Sequence, residues 1–89
     1  MVSKSVVVQN QVGLHARPAT FFIQKANEFK SSIWVEVAQE DKRVNAKSLL
    51  GVLSLGIDKG TEIVLIADGA DEDDAISTLM ALIDSDFSE

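Results

Sequence analysis

The chain has 89 residues, 46% of them apolar, enough for one domain with one modest core. Eight basic against fourteen acidic residues leave a net charge of −6, which argues against sequence-independent nucleic-acid binding. The absence of cysteine rules out disulfides and thiolate metal sites, and a single histidine speaks against a zinc centre.

Valine-rich residues Val2 to Val8 predict a first strand. The segment Gly13-Leu14-His15-Ala16-Arg17-Pro18-Ala19 then contains the only histidine and the only proline of the chain. Proline is accepted in the first turn of a helix, where its missing N–H would have had no partner. Apolar residues at helical spacing over 16 to 27 follow, so His15 is expected at or beside an N-cap. Ile33-Trp34-Val35-Glu36-Val37 alternates and reads as a strand with Ile33, Val35 and Val37 on one face, and Asp41 to Asn45 as its short hairpin partner. Ser48 is placed to cap a short helix that ends before Gly56. Asp58-Lys59-Gly60 is a turn, Thr61 to Ala67 a dense apolar strand, and Asp71 to Ile83 a last helix with acidic residues at its positive end. On that helix Ala75, Leu79 and Leu82 share a face beside Ile76, Met80 and Ile83, a core stripe. The order βαββαβα predicts an α+β, two-layer domain over residues 1–89: a four-stranded sheet with three helices on one face. No apolar run approaches a membrane span, and no secretory pattern opens the chain, so a cytoplasmic protein without membrane insertion is expected.

The chemistry concentrates at His15. An imidazole nucleophile, a guanidinium two residues on and the amides of a helix start together suggest a site that carries a phosphoryl group. A histidine that merely caps its helix is the plain alternative, and Arg17 with Pro18 at this spacing outweighs it. Leu14 is expected to pack beneath the site, while Ala16 and Ala19 are small enough for a partner to approach closely. Ala16, Thr20 and Ile23, spaced by four and three, share one helical face that starts beside His15. The helix after Ser48 is apolar nearly all round: Val52 and Leu55 suit the sheet, which leaves Leu49, Leu50 and Leu53 partly exposed, with Leu49 also compatible with the core. With no metal motif and no nucleotide-binding loop, no cofactor is expected, and the phosphoryl group has to come from another protein.

Residues 13 to 19 resemble the active-site signature of HPr, the histidine-containing phosphocarrier family of the sugar phosphotransferase system. Val44 to Gly56, with Ser48 inside it, resembles the second signature of the same family, and the likeness extends through Gly69-Ala70-Asp71-Glu72. The resemblance implies an open-faced β-sandwich with a mostly antiparallel sheet, and a covalent carrier rather than an enzyme with turnover of its own. It implies that the δ nitrogen of His15 accepts the phosphoryl group, that Arg17 stabilises it, and that the two helical faces join into one docking patch. Enzyme I would be the donor and sugar-specific enzyme IIA domains the acceptors. It further implies that Ser48 is a regulatory site for HPr kinase/phosphorylase, after which the protein serves a catabolite-control transcription regulator. Ser48 stands slightly further from His15 than in many members, the surplus falling around Gln39-Glu40-Asp41-Lys42. A carrier of the nitrogen-related branch, a purely regulatory HPr-like protein and a small acid-phosphatase-like or ligand-binding α/β domain of similar element order are the competing readings; known regulatory members lack the histidine, so His15 argues against the second.

Overall fold

The most apolar strand lies in the interior of the sheet. In the computed structural model, which describes residues 1–87, β4 (Glu62–Asp68) lies between β1 (Val2–Val7) and β2 (Ser32–Val37), and β3 (Arg43–Asn45) closes the other edge beside β2. All pairings are antiparallel. Ile63, Leu65 and Ala67 of β4 stand opposite Val37, Val35 and Ile33 of β2, and these six buried side chains line the inner face. The other face carries Ser3, Ser5, Trp34 and Glu36 around Ile66, a half-open surface of the kind an antiparallel sheet tolerates.

Three helices cover the inner face: α1 (Ala16–Ala26), α2 (Leu49–Ser54) and α3 (Glu72–Asp84). Helix α3 packs on β1 and β4 through Ala75, Ile76, Leu79, Leu82 and Ile83, α1 lies beside it through Ala19, Phe22 and Ala26, and α2 covers the β3 edge with Val52. The expected order βαββαβα and the two-layer arrangement are those observed. None of the helices is long and apolar enough to cross a membrane.

Several boundaries shift, β1 ending at Val7 and α1 at Ala26 among them, and three shifts have a visible physical reason. Asp41 and Lys42 belong to the hairpin turn rather than to β3, because Gln39 takes a left-handed conformation (φ 70°) and the strands rejoin only at Arg43 opposite Glu36. Thr61 precedes β4, although its carbonyl accepts from Val8 N–H at 2.9 Å and prolongs the pairing with β1. Asp71 is the N-cap of α3, yet its carboxylate does not cap the helix; it reaches across to the loop before β2 and accepts from Lys30 N–H, Ser31 N–H and the Ser31 hydroxyl. Gly69 allows that approach, since a Cβ there would come within 2.7 Å of Ser31 Cα.

Candidate functional site

Two loops distant in sequence meet at Gly13. A Cβ on this residue, whose φ is 67°, would come within 2.2 Å of the Ile57 carbonyl oxygen and 2.7 Å of Asp58 Cα. Only glycine fits both the conformation and the contact. Leu14 N–H donates to the same Ile57 carbonyl at 2.9 Å, and Leu14 is fully buried beneath the site, as its position led us to expect.

His15 follows as the extended N-cap of α1, with φ −130° and ψ 162°, and its ring makes no capping hydrogen bond. Its helix starts with no acidic residue in the first turn, so the positive end of the dipole and the open N–H groups remain available to an anion. The ring is half exposed, and its Nε2 lies 2.9 Å from Asp58 Oδ1. A carboxylate can only accept, so in the neutral ring Nε2 carries the proton and Nδ1 keeps the lone pair. Asp58 escaped the sequence reading. It stands 43 residues from His15, and its local pattern announces nothing beyond a turn.

Ala16 opens α1 at φ 53°, a left-handed conformation that an L side chain adopts at a cost of about 1–2 kcal/mol. It is exposed, as are Arg17 and Thr20, while Ile23 is half buried further along the helix. The Thr20 hydroxyl donates back to the Ala16 carbonyl at 3.3 Å. Among the described residues no hydrogen bond joins Arg17 to His15. Its guanidinium lies 5.8 Å from the centroid of the Phe21 ring, one turn on, in a cation–π contact. Ala19, expected to leave room for a partner, is instead fully buried, so its small size serves the packing of the core.

Ser48 caps α2 as the sequence suggested, its Oγ accepting from Gly51 N–H at 3.2 Å. Val52 is fully buried and Leu55 half buried against the core, which leaves Leu50 81% exposed, Leu49 42% exposed and Leu53 half buried. The core alternative for Leu49 therefore fails. Helices α1 and α2 run in opposite directions: Asn27, the C-cap of α1, donates to the Lys47 carbonyl before α2, and His15 at the start of α1 meets Asp58 beyond its end. Ser48 and His15 thus stand at opposite ends of the helix pair. Among the described residues no cluster of His, Cys, Asp or Glu is arranged to hold a metal ion.

Comparison with known proteins agrees with this geometry over almost the whole chain. The PTS-HPr family, described as the PTS HPr component phosphorylation site, matches residues 2–85, a span that takes in His15, Arg17, Ser48 and Asp58. The chain is 46% identical over 86 residues to the HPr-like protein Crh of Halalkalibacterium halodurans, covering 97% of this chain and 100% of that protein. It is 45% identical over 89 residues to phosphocarrier protein HPr of Neisseria meningitidis serogroup A, covering 100% and 98%. The crystal structure of HPr-C-His from Thermoanaerobacter tengcongensis matches with a TM-score of 0.95 at 47% identity, covering 100% of this chain and 98% of that one. A fold shared end to end, built around a histidine at a helix start, makes the chain a member of the HPr family of the phosphotransferase system, whose proteins carry phosphoryl groups.

Proposed function

We propose that this chain, acting as one domain over residues 1–89, accepts a phosphoryl group from enzyme I on His15 and passes it to sugar-specific enzyme IIA domains. The observation that carries the reading is the His15 ring itself, half exposed at a helix start, with Nε2 engaged by Asp58 and no capping bond to its own helix. A phosphoimidazole keeps a high transfer potential, because a neutral imidazole nitrogen is both a competent nucleophile and a workable leaving group. Arg17 rests on Phe21 only through a surface contact, and rotation of its side chain brings the guanidinium to phosphoryl oxygens during transfer. Ala16, Thr20 and Ile23 of α1 with Leu49, Leu50 and Leu53 of α2 form the docking face used in turn by donor and acceptors. The protein is a cytoplasmic carrier, covalently modified and regenerated, with no turnover of its own.

The test is incubation with enzyme I and phosphoenolpyruvate, followed by mass measurement under acid and alkaline conditions. His15 should be the only acceptor, and the adduct should be acid-labile and alkali-stable, as a phosphoimidazole is. Phosphate transfer to His15→Ala would refute this assignment.

The similarity to Crh at 46% identity favours a second, regulatory role beside the first. Ser48 at the start of α2 is the residue for it, phosphorylated by HPr kinase/phosphorylase so that the protein engages a catabolite-control transcription regulator. Its hydroxyl stands at the positive end of a helix, where a phosphate is compatible with the fold. The presence of His15 favours the carrier over a purely regulatory protein. Incubation with HPr kinase/phosphorylase and ATP decides whether Ser48 is a substrate or a cap alone.

A further inference from the structure

We propose that Asp58 is a positioning residue of the phosphoryl site: its carboxylate holds the Nε2–H edge of His15 so that only Nδ1 is presented to the donor. The inference rests on the carrier function proposed above and names what orients its nucleophile. Asp58 Oδ1 lies 2.9 Å from Nε2, and the ring makes no capping bond to its own helix. The Asp58 contact is therefore the hydrogen bond that sets the ring orientation. The backbone that bears Asp58 is itself fixed. Its N–H donates to Thr61 Oγ1 at 3.2 Å, Thr61 N–H returns to the Asp58 carbonyl at 3.1 Å, and Gly60 N–H donates to the Val8 carbonyl. On the other side Leu14 N–H holds the Ile57 carbonyl, and Gly13 lets the two loops touch. Both ends of the His15–Asp58 contact thus hang from one latch. Asp58 is 79% exposed, and a surface pair of this kind adds little to folding stability. Its consequence is the orientation of the ring.

On acceptance the Nδ1 lone pair forms the N–P bond as the bond from phosphorus to the donor atom breaks, its electron pair leaving with the donor. The Nε2 proton stays on the ring. The imidazole gains positive charge in that step, and the Asp58 carboxylate faces it at hydrogen-bond distance. On delivery a nucleophilic atom of the acceptor protein bonds to phosphorus as the N–P electron pair returns to Nδ1, and the neutral ring is restored.

Phosphoramidate tests the role without a partner protein, since attack by an imidazole nitrogen on its phosphorus releases ammonia. Wild-type protein should form the Nδ1 adduct. Asp58→Ala should form it about tenfold more slowly and yield a share of Nε2 adduct, the two being distinguished by 31P and 15N NMR. Asp58→Asn keeps an acceptor oxygen and should restore the Nδ1 preference. With enzyme I and phosphoenolpyruvate, Asp58→Ala should lower kcat about tenfold at unchanged KM, which loss of a docking contact would not do. Thermal melts should be alike for all three proteins. Equal rates and an Nδ1-only adduct in Asp58→Ala overturn the inference and leave the carrier function standing. A wild-type protein that reacts with phosphoramidate at His15 but takes nothing from enzyme I overturns the carrier function instead.

Discussion

At the scale of single residues, His15 has a hydrogen-bonded partner in Asp58, while Arg17, its proposed partner in transfer, lies elsewhere. Asp58 touches it at 2.9 Å, whereas Arg17 waits over the Phe21 ring. Arg17→Ala should therefore leave the melting temperature nearly unchanged, because an exposed cation–π contact is worth about 0.5–1 kcal/mol. It should slow transfer to and from His15 by roughly ten- to a hundredfold, corresponding to about 1.5–3 kcal/mol for a lost charge-assisted contact. Stopped-flow transfer in both directions checks this, and unchanged rates would remove Arg17 from the site. Gly-Leu-His-Ala-Arg-Pro-Ala was legible as a helix start because proline and the following apolar spacing are local signals. The partner of its histidine was not, because the contact joins two turns whose own residues satisfy ordinary turn chemistry.

At the scale of elements, α2 carries the clearest division of labour. Its six residues bury one side chain, Val52, and expose Leu50 almost completely. Leu50→Glu should change stability by no more than about 0.5 kcal/mol while weakening the complex with enzyme I. Val52→Ala should do the reverse and cost about 2 kcal/mol with little effect on binding. Titration calorimetry and thermal melts on the two variants check the pair, and a large loss of stability in Leu50→Glu with binding intact would place that leucine in the core. The cap of the same helix supports another expectation. Ser48→Ala leaves the Gly51 N–H without its acceptor and should cost about 1 kcal/mol. Ser48→Asp should keep the fold, since a carboxylate also caps and suits the dipole, but it sets charge where a partner has to desolvate it. Enzyme I-dependent labelling of His15 should fall markedly in Ser48→Asp and stay near normal in Ser48→Ala; equal labelling in the two would leave Ser48 as a cap only.

At the scale of the whole molecule, the layers are tied by carboxylates at the start of α3. The Ser31 hydroxyl above all, with the Lys30 and Ser31 amides, lowers the Asp71 carboxyl from its ordinary 3.8 to about 2. Glu72 is lowered as well, first by the Gly69 amide and then by the Met1 ammonium 3.2 Å away. Both groups bind protons more weakly in the folded chain than in the unfolded one, so their contribution is complete above the ordinary carboxylate range. The Asp71 share is lost as the pH falls from about 4 through 2. Asp71→Asn should lower stability most above pH 4 and flatten the acid limb of the curve, which chemical denaturation at a series of pH values between 2 and 7 would measure. An unchanged acid limb in Asp71→Asn would show that the Ser31 loop is held by other contacts.

The sequence by itself determined the elements, their order and the inner faces of β2 and α3, because these depend on spacing along the chain: period two in Ile33, Val35 and Val37, and helical spacing in Ala75, Leu79 and Leu82. It also marked His15, Arg17 and Ser48 as candidates, since residue type and position at a helix start carry their chemistry. Only the tertiary structure decided which carboxylate meets His15, that Ala19 is core and Leu49 surface, and that Asp71 ties a distant loop where it had been read as part of its own helix. These outcomes come from antiparallel packing, which brings residues some forty positions apart to hydrogen-bond distance. A glycine without a Cβ, at Gly13 and again at Gly69, lets the two backbones come close enough for the contact to form.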